Sequence, residues 1–369
     1  MTKKLGFGLM RLPLSDVANE TIDIEQTKKM ADYFMSKGFT YFDTAAPYIK
    51  GNSEGAFRQA VVERYPREAY TITDKLSLFM IKEAKEIPGF FERQLEQLGV
   101  DYLDYYLLHA LGKDSFRKAE EMHAFEFVCK LKAEGKVKHI GFSFHDNAQV
   151  LDEILTKHPE MEYVQLQINY LDWEDENIQS RACYEVAMKH NKQVLIMEPV
   201  KGGSLVNIPK EAEKLFKAYH PELSIASWAI RFAASLPNVM MVLSGMSNEE
   251  QMMDNLSYME NFIPLNEEEK KVIDTATAII KSEIAIPCTA CRYCIEDCPK
   301  KIPIPECFAI YNDLKKEAGK AETSETDYQK VTNGLGKASD CIKCGKCEKH
   351  CPQHLPIREY LVEVAGELE

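Results

Sequence analysis

The sequence predicts an α/β protein: a closed parallel (β/α)8 barrel followed by a small, mainly α-helical second domain. Two observations carry this expectation. Up to about residue 265, short apolar runs alternate with longer charged segments of helical periodicity, and there are eight such runs. Beyond residue 282 the composition changes abruptly, with nine of the eleven cysteines falling between Cys288 and Cys351, eight of them in a repeated pattern. Residues 1–282 are therefore assigned to the barrel and 283–369 to the second domain. The length of 369 residues agrees, because a barrel of about 250 residues takes up most of the chain and leaves one small unit over.

The eight runs are LGFGLM from Leu5, YFDTA from Tyr41, TITDK from Thr71, YYLLH from Tyr105, HIGFS from His139, VQLQIN from Val164, VLIMEP from Val194 and VMMVLSG from Val239. They are rich in β-branched and aromatic residues, as strands are. Between them lie candidate helices such as IEQTKKMADYFMSKG from Ile24, IPGFFERQLEQLGV from Ile87 and AFEFVCKLKAEGK from Ala124; Gly38 and Gly135 close the first and last. Eight strands with helical crossovers close into a TIM-type barrel. A further helix is expected around 266–282.

Composition narrows the function. A hydrophobic fraction of 45% and a charged fraction of 28% describe an ordinary globular chain with a real core. A formal net charge of -13 argues against a nucleic-acid partner, since phosphate binders concentrate Lys and Arg. It would suit a basic docking partner, although solubility alone accounts for it. The opening MTKKLGFGLM is interrupted by Arg11 and Pro13 before a signal-like apolar core forms, and no run approaches the roughly 20 apolar residues of a membrane span. A cytoplasmic protein without membrane or nucleic-acid partners is expected. In a reducing compartment eleven cysteines point to metal or redox chemistry rather than disulfides.

The cysteines repeat with a constant offset of 53 that pairs Cys288, Cys291, Cys294 and Cys298 with Cys341, Cys344, Cys347 and Cys351. The match continues through Pro299, Ile302, Pro303, Ile304 and Glu306 onto Pro352, Leu355, Pro356, Ile357 and Glu359, so each half is one loop leading into one helix. Each half reads Cys-x2-Cys-x2-Cys-x3-Cys-Pro, in which three close thiolates cup one cubane while the fourth reaches the neighbouring cluster. Two [4Fe–4S] clusters follow: one on Cys288, Cys291, Cys294 and Cys351, the other on Cys341, Cys344, Cys347 and Cys298. Zinc usually takes paired cysteines or Cys with His, and suits this spacing poorly. The halves resemble dicluster ferredoxin domains over about 80 residues. The intervening EAGKAETSETDYQKVTNGLGKASD is polar and turn-rich and reads as a connector, long and helix-like enough to favour an α-helical dicluster fold over a compact βαβ one. Cys129, Cys183 and Cys307 stand outside the pattern on expected helices and read as small hydrophobes.

In a barrel the C-terminal strand ends converge on one face. Asp43 lies late in the second run, Lys75 ends the third, His109 ends the fourth, and Tyr48 follows Asp43 on the loop over the same face. Asp43 would hold Lys75 charged, and Lys75 would lower the tyrosine's pKa from near 10. Tyr48 could then protonate a carbonyl oxygen as a hydride reaches its carbon, with His109 orienting that oxygen. Singly each residue has a plainer explanation, as a turn cap, a loop aromatic, a solvated lysine or a satisfied core histidine. Their joint placement argues for function.

With these four residues the chain resembles the aldo-keto reductase family over residues 4 to 260, and the resemblance implies that Asp43, Tyr48, Lys75 and His109 are its catalytic tetrad. It further implies that Ser143 and Gln165 hold a nicotinamide carboxamide, that Gly8 belongs to the first strand, and that LSGMSNEEQMMDN, with Gly245, Gln251 and Asn255, grips the adenosine phosphate of NADP(H) or NAD(H). Together with the cysteines this is similar to a ferredoxin-fused branch of that family. The chain departs from the pattern in several places. Met197 replaces a stacking aromatic, Glu198 replaces a small hydroxyl residue, Phe144 replaces an amide, and Gly245 and Gln251 stand where Lys and Arg often meet a 2′-phosphate. Lys201, Gly202 and Gly203 are candidates to compensate, as glycine amides and a cation near a phosphate.

The expected function is an iron–sulfur oxidoreductase that interconverts a carbonyl and an alcohol on a small molecule, with the clusters linking it to a one-electron carrier protein. Nicotinamide delivers electrons in pairs and a cluster singly, so a flavin in the barrel mouth is an alternative cofactor. Two other readings stay open at this point: an electron-transfer or docking module on a barrel without carbonyl chemistry, and a nicotinamide-dependent reductase with purely structural clusters.

Overall fold

The computed structural model describes residues 3–16, 19–316 and 321–369. Eight parallel strands close into a barrel: β1 Leu5–Gly8, β2 Tyr41–Asp43, β3 Thr71–Leu76, β4 Leu103–Leu111, β5 Val137–Phe144, β6 Tyr163–Gln167, β7 Gln193–Met197 and β8 Val239–Ser244. Each pairs with the next in sequence, and β8 returns to β1 through Val242 and Leu5. A short antiparallel hairpin of Leu14–Asp16 and Thr21–Ile22 lies outside the barrel sheet.

Five strands contribute the buried cluster of Tyr41, Leu107, Tyr163, Leu195, Met241 and Leu243. Gly141 on β5 is required by it, since a Cβ there would lie 2.4 Å from the Tyr163 carbonyl oxygen. The outer face of the strands is covered by helices. Helix α1, Ile24–Ser36, starts where the Asp23 carboxylate accepts from the Gln26 amide at 2.9 Å, and ends ahead of Gly38 at φ 77°. It buries Met30, Ala31 and Phe34, with Phe34 5.3 Å from Phe42 of β2 between ring centroids. Each such aromatic contributes about 1.5–3 kcal/mol by leaving water. Helices Ile87–Leu98 and Ala124–Ala133 end in the same way, before Gly99 and Gly135. No described helix is long and apolar enough to cross a membrane.

The chain divides into two compact units. The first comprises Met1–Asp175, Gln179–Val200 and Ala226–Glu267; the second comprises Glu176–Ile178, Lys201–Ile225 and Glu268–Glu369. The cysteine-rich unit therefore starts earlier than the composition change and draws in a stretch from the middle of the sequence. Local contacts explain this: Tyr219 donates to Glu268 at 3.2 Å, His220 meets Glu269 at 3.0 Å, and the Lys201 ammonium donates to Gln353 at 2.9 Å.

Within the second unit the repeat of 53 extends to the backbone. Short helices Tyr293–Glu296 and Lys346–Lys349 correspond, as do Ile304–Lys316 and Ile357–Leu368. Positive φ angles recur in register at Ala290 and Lys343, Arg292 and Gly345, and Lys301 and His354. The segment read as a polar, turn-rich but helix-like connector contains a helix, Ala321–Thr332; residues 317–320 of it lie outside the described residues. Tyr328 ties this helix down. Its buried hydroxyl donates to Glu369 at 2.6 Å and accepts from the Ala338 amide at 2.7 Å. The unit's core joins Ile302, Ile304, Phe308, Ile357, Leu361 and Val364 to the cysteines themselves.

Candidate functional site

The ends of β2, β3 and β4 bring together Asp43, Lys75 and His109. The Lys75 ammonium donates to Asp43 Oδ1 and to the Thr44 carbonyl, both at 2.7 Å, with Lys75 and Asp43 only 1% and 2% exposed. It stands 5.0 Å from the centroid of the Tyr48 ring, which meets His109 edge-on at 6.1 Å. Tyr48 opens a tight turn, Tyr48–Gly51, in which Ile49 and Lys50 adopt left-handed conformations. The four expected residues thus share one buried place. Burial raises the Asp43 carboxyl above its usual value although Lys75 opposes this, and the second oxygen of Asp43 has no hydrogen-bond partner among the described residues.

One feature of this site differs from the sequence reading, and another adds to it. Lys75 was expected to lower the Tyr48 phenol, but burial pushes it well above 10, and the carboxylates of Asp43, Asp74 and Glu198 push it further. Desolvation outweighs the cation. His109 moves the other way: burial first, then Lys75 and His145, hold its pKa well below 6.5, so the ring is neutral near pH 7. Its Nδ1 lies 2.6 Å from the buried hydroxyl of Ser77. Ser77 was missed in the sequence, where only its place two residues beyond Lys75 could have marked it. His109 also sits at a break in the ladder: β4 and β5 shift register between Leu108 and Leu111, and Ala110 takes φ 55°.

Ser143 holds that break, its Oγ accepting from the Ala110 amide at 2.7 Å. Its hydroxyl proton is left to donate elsewhere. Gln165 is 2% exposed and its Oε1 has no hydrogen-bond partner among the described residues. A buried amide oxygen in that state is open to a donor from water or a ligand. Gly8 packs beside the Ser244 and Gly245 backbone with room for ordinary contact, and Gly245 lies under the Arg11 side chain, 3.3 Å from an added Cβ. Gln251 Oε1 accepts from the Ser247 amide at 2.8 Å. Asn255 bridges Ser244 Oγ at 2.9 Å and the Tyr258 hydroxyl at 2.5 Å, which makes it a brace of this segment. Glu198 takes φ 57°, and its carbonyl accepts from Asn169 at 3.1 Å.

Lys201 and Gly202 lie in the second unit. Besides the Gln353 contact, Gly202 at φ 65° lies against Thr289, whose carbonyl oxygen would be 2.1 Å from any Cβ. The close approach that singled out this glycine is to a backbone carbonyl beside Cys288.

The eight cysteines are spread around two cavities. Cys288, Cys291, Cys294 and Cys351 line one, with Thr289, Gln353 and Phe308; Cys298, Cys341, Cys344 and Cys347 line the other, with Ile342, Lys300 and Arg358. Each cavity thus takes its fourth cysteine from the opposite half. No three His, Cys, Asp or Glu side chains among the described residues converge on a single-ion centre. Thiolates set around a cavity suit a multi-iron group in which each iron takes one thiolate. Burial raises the thiols of Cys294 and Cys347, the latter to about 11. Cys183 and Cys307 are buried, with thiols raised to about 12, as expected of small apolar side chains; Cys129 is half-buried.

Comparison with known proteins gives this geometry a family. Residues 287–355 match the 4Fe-4S dicluster domain. A probable aldo-keto reductase 1 of Glycine max is 32% identical over 148 residues, covering 38% of this chain and 41% of that protein. The glyoxal reductase of Bacillus subtilis is 28% identical over 240 residues, covering 57% and 78%. The solved structure of an aldo-keto reductase from Klebsiella pneumoniae in complex with NADPH shares the fold, with TM-score 0.58 at 20% identity over 74% of this chain and 90% of its own length. The aldo/keto reductase family model matches residues 4–278, so the chain belongs to the aldo/keto reductase family, as an iron–sulfur oxidoreductase with a 4Fe–4S dicluster domain.

Proposed function

We propose that this oxidoreductase interconverts a carbonyl and an alcohol on a small molecule, with Tyr48 as general acid and base and the cysteine unit as its link to a one-electron carrier protein. The observation that carries the reading is the buried contact of Lys75 with Asp43 beside the facing rings of Tyr48 and His109. Tyr48 stays protonated near pH 7 and delivers that proton to the carbonyl oxygen; in the reverse direction it takes it back. His109 is neutral. With Ser77 donating to Nδ1, its proton sits on Nε2, where it orients and polarises the same oxygen. Lys75, fixed by Asp43 and Thr44, offsets negative charge that develops on the phenol oxygen.

A nicotinamide dinucleotide, NADP(H) or NAD(H), would supply the hydride. The orphan Oε1 of Gln165 and the hydroxyl of Ser143 fit its carboxamide, and the Klebsiella relative was solved with NADPH. Cys288, Cys291, Cys294 and Cys351 would hold one [4Fe–4S] cluster and Cys298, Cys341, Cys344 and Cys347 the other, supplying one-electron transfer.

The test is Tyr48→Phe. Reduction of an accepted carbonyl should fall by about 10²–10⁴-fold while nicotinamide affinity stays nearly unchanged. Unaltered turnover would remove Tyr48 from the mechanism.

A further inference from the structure

We propose that the surface around the second cysteine cavity docks an acidic one-electron carrier protein. This deepens the reading of the clusters as electron carriers and rests on it. Of the eight cysteines, Cys344 alone is exposed, and it lines the second cavity. Beside it Ile342 is 58% exposed, and Leu335 is 46% exposed. The segments that carry these residues and the cavity's cysteines also carry six exposed lysines, Lys300, Lys301, Lys337, Lys343, Lys346 and Lys349. Lys300 lines the cavity itself, and Gly336, next to Lys337, packs directly on the Lys300 carbonyl. None of the six joins an ion pair among the described residues. Among the acids of these segments, Glu348 pairs with Arg358 at 2.7 Å, Asp340 accepts from the Lys337 amide at 2.9 Å, and Glu369, which Lys337 also attracts, accepts from the Tyr328 hydroxyl at 2.6 Å and the Ser339 amide at 3.0 Å.

The repeat supplies an internal control. Its offset of 53 places Ala290, Tyr293 and Glu296 where the second half has Lys343, Lys346 and Lys349, and puts the buried Thr289 where it has the exposed Ile342. Lys300 and Lys301 correspond in turn to Gln353 and His354. The cysteine loop therefore folds without these lysines. They concentrate positive charge around one cluster on a chain whose net charge is -13. An apolar centre with a cationic rim fits a partner with an apolar contact ringed by carboxylates, and opposite charge steers encounter. Each encounter passes one electron from the reduced carrier to the cluster; the carrier is oxidised by one electron, the cluster is reduced by one, and no bond or proton changes.

Full-length protein carrying both clusters would be mixed in a stopped flow, without substrate, with an acidic flavodoxin reduced to its hydroquinone. Flavodoxin oxidation and its dissociation constant would be followed at rising salt. For the wild type the rate should fall as salt rises. Lys343→Glu with Lys346→Glu should slow it about tenfold or more at low salt and weaken binding, with iron content and reduction by dithionite unchanged. Lys300→Glu with Lys301→Glu should act in the same direction, which guards against damage confined to one loop. Equal rates in wild type and both variants, or no electron transfer from flavodoxin to the wild type, would overturn the proposal. So would loss of binding to anionic phospholipid vesicles alone, which would assign the lysines to a membrane surface. The assay reads electron entry without turnover. Clusters that stay silent during catalysis would refute the coupling and leave the docking site standing.

Discussion

In the barrel, Lys75, Asp43, His109 and Ser77 are held by hydrogen bonds among themselves and the backbone, at strand ends fixed by a closed sheet. In the second unit the cysteines face cavities, and backbone amides approach two of the sulfurs at long range, Ala290 at 3.5 Å from Cys288 and Lys343 at 3.4 Å from Cys341. In the barrel site the polar side chains hold one another. The cysteine unit counts cysteines among the residues of a small core, and small cores commonly draw stability from bound metal. Perturbing the first site should therefore act mainly on chemistry, and perturbing the second mainly on cluster content and local folding.

Tyr48→Phe is the largest expected departure, in rate. Next comes Lys75→Met, which breaks a buried pair and leaves the Asp43 carboxylate without its cation; such breaks cost about 3–5 kcal/mol. Chemical denaturation should show that loss, and Lys75→Met with Asp43→Asn should recover part of it. A single substitution as stable as the wild type would mean that the pair does not organise the site. In the cysteine unit, Cys298→Ala should cost about half of the roughly eight iron atoms per chain and deplete the cluster on Cys341, Cys344 and Cys347 more than the one beside it in sequence. Iron analysis with spectroscopy decides this, and loss confined to the other cluster would reverse the assignment.

The smallest expected effect is an absence of change. Because Tyr48 titrates well above 10 and His109 well below 6.5, neither changes charge between about pH 7 and pH 10, and carbonyl reduction should have no limb from either there. A fall centred near pH 8 that Tyr48→Phe abolishes would restore the lowered phenol expected from the sequence.

Much of the barrel was legible because a parallel barrel writes a simple pattern: each of the eight apolar runs overlaps one of β1 to β8. The offset of 53 was equally visible, and it recurs in paired helices and paired positive φ angles. Long-range contacts were not legible. Lys201 and Gly202 read as a phosphate turn, whereas their partners Gln353 and Thr289 lie far along the chain. The role of Ser77 depends on a register break at Ala110 that no residue type announces. The phenol of Tyr48 depends on how completely it is buried, and spacing carries no such information. The lysines around Ile342 were hidden by a net charge of the opposite sign.

The proposed function requires the clusters to exchange electrons with the barrel chemistry rather than only to hold the second unit together. Stopped-flow absorption of anaerobic protein, mixed with nicotinamide cofactor and a competent substrate, tests it most directly. Cluster absorption should bleach or recover on the timescale of turnover. Steady nicotinamide-dependent turnover with constant cluster absorbance, across donors and carriers, would contradict it.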